Sequence, residues 1–272
     1  MMRWSLIILL MTSPILRTPL FCAFENRNSG AENLALGNST IASLNNRYAI
    51  FYNPAGINCD RNICFSSTFR NYYGISGINR ITGVTIFSLY NKKFSIGFDT
   101  FGNRLYQENR ILIGTGFTFI DYVDIGYNIN YNSVEIANYG EDNFLSFSVG
   151  FLYKITPKFS LGVTFSDIYQ TNLTENLENI ISNFAVGFSY MPATCFTLFT
   201  SISRELQYPV DYKIGLEYNV QDYIITRVGY EDSLDTISFG IGSKFNSLTF
   251  NYALRWHTWL ASSHAISFEI EI

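Results

Sequence analysis

Few side chains in this sequence have the types and the spacing that chemistry requires. Its two histidines, His257 and His264, flank one loop near the C-terminus, with no carboxylate between them. They could meet across a hairpin, but a zinc site needs at least three protein ligands. A hydrolase needs a nucleophile and a base that a third group orients, and neither histidine has a serine and an acid on its own predicted face. We therefore predict no metal site, no cofactor and no enzymatic activity.

The cysteines offer one candidate bond. Cys59 and Cys64 are close in sequence, whereas Cys22 lies in the N-terminal apolar region and Cys195 lies alone in a predicted strand. In an oxidising compartment Cys59 and Cys64 can pair across a short loop. The alternative is two free thiols at the start of the first strand, and the sequence leaves both open.

Glu217 and Arg227 form the second candidate interaction. They lie in predicted strands on either side of a turn at residues 221–222, and both fall on the polar, inward face of their strands. Opposite charges at facing positions of a hairpin attract each other, so the sequence predicts an ion pair inside the fold. We interpret it as stiffening the wall, and the alternative is that it grips a ligand.

Two Gly-x-Gly stretches, at residues 114–116 and 240–242, are superficially like nucleotide-binding loops. Each lies within a predicted strand and no helix follows it, so the context of a dinucleotide-binding motif is missing. We interpret these glycines as facing the interior of a tight barrel.

The elements that hold these residues show the two-residue period of strands. From residue 62 onward, large apolar side chains alternate with small or polar ones. Residues 158–168 show it well, with Phe159, Leu161, Val163 and Phe165 on one face and Ser160, Gly162, Thr164 and Ser166 on the other. Fourteen such segments are found, near residues 62–70, 79–90, 93–101, 109–119, 122–136, 143–154, 158–168, 182–191, 194–204, 211–220, 223–230, 235–245, 247–256 and 264–272.

The connections between these segments also alternate. Tight turns fall near residues 91–92, 121, 156–157, 192–193, 221–222 and 246, and the intervening loops are longer and more polar. Short turns at one rim, longer loops at the other and an even number of strands are typical of bacterial outer-membrane barrels. We therefore predict an all-β fold, a transmembrane antiparallel β-barrel of about 14 strands.

The composition favours a membrane barrel over a soluble sandwich or propeller, which also consists of many short strands. Of the 272 residues only 15% are charged, whereas about 25% is usual in soluble domains. A soluble sandwich covers its water-facing side with charge, but the second face here consists of Ser, Gly, Asn and Thr. Much of the surface is therefore expected to face lipid.

The N-terminus predicts export. Arg3 precedes an apolar run at residues 6–11, and the segment ends near Ala23, as in a secretory signal. Phe21 is bulky for a cleavage site, and directly before Cys22 it also disfavours the alternative of a lipoprotein signal. Removal of this segment leaves 16 basic and 22 acidic side chains, so nucleic acid is not an expected partner.

The predicted domains are a signal peptide at residues 1–23, an N-terminal plug segment at 24–61 and a barrel at 62–272. In the plug segment, small residues at Ala31, Ala35, Ser39 and Ala42 would let a short helix pack closely against the wall or inside the lumen. Asn53 before Pro54 predicts an extended residue followed by a turn.

The plug segment resembles the N-terminal motif of FadL-like outer-membrane barrels, in particular the PorV/PorQ family. The matching positions are Gly30, Ala31, Ala35, Leu36, Gly37, Ala42, Asn53, Pro54, Ala55 and Gly56. Glu32 departs from the family pattern, which usually has arginine there. Residues 215–218, 227–230, 238–242 and 251–253 and the stretch from 260 to 267 also resemble PorV-like proteins, whereas the middle of the chain matches only in periodicity.

This resemblance implies a protein of the bacterial outer membrane, in contact with outer-membrane lipid, that assists type IX secretion. Its further partners would be secretion-system components or exported cargo proteins. The alternatives are a FadL-like passive channel for hydrophobic small molecules, gated by the plug, and a structural envelope barrel. The polar lumen positions weigh against a conduit for apolar solutes.

Overall fold

The computed structural model describes residue 24 and residues 28–89, 92–172, 182–205, 208–221 and 223–272. The predicted signal peptide, two turn residues, Asn91 and Asp222, and most of the predicted loop at 169–181 lie outside these ranges. Within them, no helix combines the length and the apolar character needed to span a membrane.

Fourteen antiparallel strands close into a single barrel, which confirms the predicted fold class. Each strand pairs with its neighbours in sequence, and β1 pairs with β14 to close the wall. The strands are β1 (Ile63–Asn71), β2 (Asn79–Leu89), β3 (Lys92–Gly102), β4 (Tyr106–Ile120), β5 (Val123–Ile136), β6 (Gly140–Thr156), β7 (Phe159–Asn172), β8 (Asn183–Ala193), β9 (Phe196–Glu205), β10 (Asp211–Gln221), β11 (Ile224–Glu231), β12 (Thr236–Phe245), β13 (Leu248–His257) and β14 (Ser263–Glu271).

The strands in the middle of the chain are longer than the sequence predicts, chiefly at the rim with the longer loops. β4 begins at Tyr106 and β6 at Gly140, and β7 continues to Asn172. The extensions of β4 and β6 carry polar residues on both faces, so apolar alternation fades there while the backbone ladder continues. The prediction that Cys195 lies in a strand is wrong, since this residue occupies the turn between β8 and β9.

The outward-facing side chains are large and apolar. Ile111, Ile113 and Ile129, near the middle of their strands, are 50%, 61% and 55% exposed. Exposed aromatic residues lie near both rims: Tyr122, Tyr153, Tyr190 and Tyr223 at the rim of short turns, and Tyr212 and Trp256 at the rim of longer loops. An apolar band between aromatic girdles on a closed, even-stranded barrel is the surface of an outer-membrane protein. The protein is therefore localised to the bacterial outer membrane.

The lumen contains the segment that precedes β1. Residues 28–58, called the inner segment below, form two short helices, α1 (Ala31–Ala35) and α2 (Ala49–Tyr52), and two 3-10 turns, Thr40–Ala42 and Pro54–Gly56. Most of its side chains are buried.

The rim of short turns, where β1 begins and β14 ends, is called the turn rim, and the opposite rim is called the loop rim. In outer-membrane barrels the loop rim faces the outside of the cell.

Candidate functional site

The inner segment packs against one side of the wall through apolar contacts. Ile50 of α2 belongs to a buried cluster with Val84 and Ile86 of β2 and Leu112 of β4. Apolar residues therefore point inward on β2 as well as outward, because α2 covers them. This explains why β2 alternates poorly in the sequence.

Glycines in the wall allow the backbone of the inner segment to lie directly on the strands. A Cβ atom at Gly126 would lie 2.2 Å from the carbonyl of Pro54, and one at Gly229 would lie 2.1 Å from the nitrogen of Gly37. Real Cβ atoms do not approach so closely, so an added methyl group would displace the inner segment.

These glycines form pairs across the sheet. Gly126 is in register with Gly116 on β4 and with Gly150 on β6. Two further pairs are Gly162 with Gly187 and Gly215 with Gly229. Taken singly in the sequence, Gly114, Gly116, Gly240 and Gly242 predict only glycines that face a tight lumen. The register of the paired glycines across adjacent strands was the signal that could have traced the path of the inner segment.

The residues of the N-terminal motif lie at the contact between inner segment and wall. Gly30, with φ 90°, precedes Ala31, whose backbone nitrogen donates to Ser267 Oγ at 2.7 Å. Leu36 is buried, and Gly37, with φ 61°, lies against the backbone of Tyr230.

The Asn53-Pro54-Ala55-Gly56 motif forms the second 3-10 turn. Asn53 Oδ1 accepts a hydrogen bond from the nitrogen of Ala55 at 3.1 Å. Its Nδ2 donates to the carbonyls of Ile41, at 2.9 Å, and of Phe151 on β6, at 3.1 Å. One amide thus joins both 3-10 turns to the wall.

Glu217 and Arg227 face each other on β10 and β11, with Glu217 Oε2 2.8 Å from Arg227 Nε. Their contact continues into a network that the sequence pattern does not predict. Arg227 Nη1 donates to Asn251 Oδ1 at 2.9 Å, and Asn251 Nδ2 donates to Glu269 Oε1 at 2.8 Å and to Glu32 Oε2 at 3.3 Å. The pair is therefore connected to α1 through Glu32.

Glu32 is the titratable group through which the inner segment meets this network. Burial raises the pKa of its carboxyl above the ordinary value, and the nearby charge of Arg227 acts in the opposite direction. Asn251 donates to both Glu32 and Glu269, so two carboxyl groups share one amide between α1 and β14.

The C-terminal end of the inner segment is anchored at the turn rim. Cys59 and Cys64 form a disulfide with a Cα–Cα distance of 5.9 Å, which joins this end to β1. Arg47 contacts Asp60, with 3.3 Å between Nη2 and Oδ2, and also contacts Glu271 on β14. The inner segment is thus held covalently and by charge at one end.

The two histidines do not meet. His257 is buried and its Nε2 lies 3.1 Å from Ser263 Oγ, whereas His264 is exposed on the outer face with Nδ1 2.8 Å from the hydroxyl of Tyr252. They lie on opposite faces of the wall and cannot share a ligand. Across the described part of the chain, no group of three or more His, Cys, Asp and Glu side chains is placed to hold a metal ion.

Two cavities flank the inner segment. The loop-side cavity, of about 410 Å³, is lined by Ile41, Ile50 and Phe51 of the inner segment and by polar residues of the wall. The turn-side cavity, of about 440 Å³, is lined by Thr40, Ser43 and the Glu217–Arg227 network. Residues 40–43 thus contribute to both cavities and lie between them.

Several solved structures share this architecture. The toluene transporter TodX of Pseudomonas putida superposes with a TM-score of 0.70 at 12% identity, covering 91% of this chain and 99% of that one. The monoaromatic hydrocarbon channel CymD gives a TM-score of 0.69 at 11% identity, covering 92% and 99%. A FadL homologue of Pseudomonas aeruginosa gives 0.57 at 12% identity, covering 89% and 97%.

The chain has the fold of these outer-membrane channels. At identities this low the likeness concerns the fold alone. It agrees with the broader resemblance, to FadL-like barrels, and carries no argument for the PorV/PorQ family in particular. No protein-family model and no curated protein sequence matches the chain.

Proposed function

We propose that this protein is a passive channel for small, largely apolar molecules, in which the inner segment is the gate. The observation that carries this proposal is the pair of cavities on opposite sides of residues 40–43. A solute that enters at the loop rim would occupy the loop-side cavity and cross to the turn-side cavity when this stretch moves.

The way the stretch is held supports a gate. The wall donates a hydrogen bond from Ser160 Oγ to the carbonyl of Ala42 at 2.8 Å, and Asn53 donates to Ile41. Leu44 and Asn45, which follow, are partly or fully exposed to the turn-side cavity. These hydrogen bonds, each worth about 0.5–1.5 kcal/mol, act together with a bond from Thr40 Oγ1 to Asn33 Oδ1 at 2.8 Å and with the packing of Ile41 and Ala42 on Gly162. None of these contacts belongs to the strand pairing that closes the barrel, so the stretch can be displaced without opening the wall.

The names of the structural neighbours, a toluene transporter and a monoaromatic hydrocarbon channel, also favour transport. The apolar side of the loop-side cavity, formed by Ile41, Ile50 and Phe51, gives such a solute a surface to lie on. In the described part of the chain nothing favours the secretion role over transport, so transport is the function we propose.

Uptake into cells tests this function, because a lipopolysaccharide leaflet is a barrier to apolar solutes that a plain liposome lacks. Cells that produce the protein should accumulate labelled ethylbenzene faster than cells with an empty vector. Ser201 lines the loop-side cavity, and a Ser201→Trp variant should reduce uptake toward the vector level. A Tyr139→Trp variant, changed at a fully exposed loop position, is the control. Uptake equal to the empty vector would refute the channel.

A further inference from the structure

The loop-side cavity has two chemically different sides. The inner segment contributes Ile41, Ile50, Phe51 and Pro54, and the loop rim adds Val210 and Leu234, whereas the strands contribute mainly asparagines, serines, acids and two bases. A hydrocarbon would make favourable contacts with the apolar side alone. The polar side therefore indicates that the ligand of this cavity carries a polar group.

Two amide oxygens on the polar side have no donor among the residues that the structure describes. Asn128 and Asn130, two positions apart on β5, are 2% and 1% exposed. Asn128 Nδ2 donates to the carbonyl of Ile50 at 2.6 Å and Asn130 Nδ2 donates to Asp167 Oδ1 at 3.1 Å, so both amide orientations are fixed. Within the described residues no donor reaches either Oδ1 atom. A buried acceptor without a donor is costly and calls for an explanation.

A β-bulge brings a carboxylate to the same wall. The register of β6 with β7 shifts between Phe147 and Val149, and Asp167 lies at the bulge with φ 54°. Alternation along β7 would place Ser166 inward and Asp167 outward, but both line the cavity. Bulges redirect side chains in this way and are frequent near functional sites.

The charge of the lining is negative. Among the described residues, five acidic side chains, Asp167, Glu205, Asp211, Glu231 and Asp232, line the cavity with two basic ones, Arg110 and Lys213, and Arg255 behind the wall lies 2.8 Å from Glu231. Lys213 Nζ is already held by Asp211 at 3.0 Å and by Glu231 at 3.2 Å. The cavity is therefore suited to a cation.

We propose that the loop-side cavity binds small molecules that combine an apolar body with a protonated primary amino group. The ammonium has three donors. Asn128 Oδ1 and Asn130 Oδ1 supply two acceptors, and the carboxylate of Asp167, whose Oδ1 also accepts from Asn130 and Ser146, supplies a negative charge beside them. The body lies against Ile50 and Phe51. A volume of about 410 Å³ is at the small end of ligand pockets, which fits a single ring with a short chain. This inference rests on the proposed channel and names its solute.

Calorimetry on the purified full chain in detergent tests this solute class. The probe is 2-phenylethylammonium at pH 7, and 2-phenylethanol and 3-phenylpropionate have the same ring with a neutral or an anionic head. We expect the ammonium to bind about tenfold more tightly than the alcohol, the usual gain from one charge-assisted hydrogen bond, and the carboxylate to bind most weakly. Equal affinities for the three probes would overturn the proposal, and this comparison requires no variant.

A pair of acid-to-amide variants localises the site. Asp167→Asn removes the charge, and asparagine tolerates the left-handed backbone of the bulge, so binding of the ammonium should weaken about tenfold. Asp124→Asn makes the same change in a wall residue outside the cavity, where Asp124 Oδ2 lies 2.7 Å from Lys154 Nζ, and should leave binding unchanged. Equal effects of the two changes would overturn the proposal.

The two proposals fail separately. Uptake of ethylbenzene without preference for the ammonium among the three probes would leave the channel in place and refute the solute class. Specific ammonium binding without uptake of either molecule would support the site and refute the channel.

Discussion

Single residues decide how firmly the inner segment is seated, and Glu32 is the titratable residue of α1 at its contact with the wall. Glu32 and Glu269 on β14 both accept hydrogen bonds from Asn251. The charge of Arg227 on β11 acts to lower the pKa of Glu32, and the charge of Arg47 in the inner segment does so to a smaller extent. Because burial raises the pKa of Glu32 in the seated state, protonation favours seating. Seating is therefore strongest below the ordinary pKa of a glutamate and weakens as pH rises through the raised value.

Hydrogen exchange of α1 measures this dependence. The amide nitrogens of Leu34 and Leu36 donate to the carbonyls of Gly30 and Glu32 and should lose protection as pH rises above the ordinary pKa of a glutamate. Glu32→Gln removes the ionisable side chain of α1, so the protection of the variant relative to the unmodified protein should grow with pH. Comparing both proteins at each pH cancels the intrinsic exchange rate. A constant difference across the range would show that Glu32 does not control seating.

The glycines of the wall give a second prediction at this scale. Gly126→Ala would bring a methyl group to within 2.2 Å of the Pro54 backbone, which cannot rotate away. Overpacking of this kind costs about 1–3 kcal/mol, and we expect faster exchange in the Pro54–Gly56 turn.

Gly97→Ala is the matched control. A Cβ atom there would lie 3.1 Å from Phe51 Cζ, at the end of a side chain that can move. Exchange of the Pro54–Gly56 turn should change less than in Gly126→Ala. If the two variants behaved alike, close backbone contact would not explain the glycines.

At the scale of elements, the sequence predicts the facing of side chains best where period-two alternation continues along a whole strand. On β5, Ile125, Tyr127 and Ile129 point outward and Asn128 and Asn130 point inward, as period-two alternation predicts. The strand count and the order of short turns and longer loops follow from the same rule.

Features that depend on a neighbouring strand could not be predicted from alternation. The bulge at Asp167 reverses the facing of one residue, and the inward apolar residues of β2 depend on contact with α2. The network around Asn251 joins α1 to β11, β13 and β14, which lie far from it in sequence. Such contacts require the barrel register and the path of the inner segment, and neither is a local property of the chain.

The facing of β10 provides a test of the membrane assignment. Leu216 points outward, and Asn219 on the same strand lines the turn-side cavity. An arginine in contact with lipid near the middle of the bilayer costs about 2–4 kcal/mol, and much less where water is available. Leu216→Arg should therefore impair assembly, measured by the heat-modifiable migration of the folded barrel, while Asn219→Arg should assemble normally. Equal yields would contradict the facing of this strand.

For the whole molecule, we expect the barrel to fold without the inner segment, and the inner segment to add to its stability. Each strand bonds to two neighbours, and β1 with β14 closes the sheet without the inner segment. Deletion of residues 30–52 should therefore leave a folded but less stable barrel, because Val84, Ile86 and Leu112 lose the apolar partners that cover them.

The conductance of that deletion variant in planar bilayers tests the central claim most directly. If the inner segment is the partition between the two cavities, the deletion joins them and the variant should show stepwise ion currents, while the full chain stays closed or opens rarely. A variant that folds as a barrel and remains as silent as the full chain would contradict the account, because the inner segment would then not be what closes the lumen.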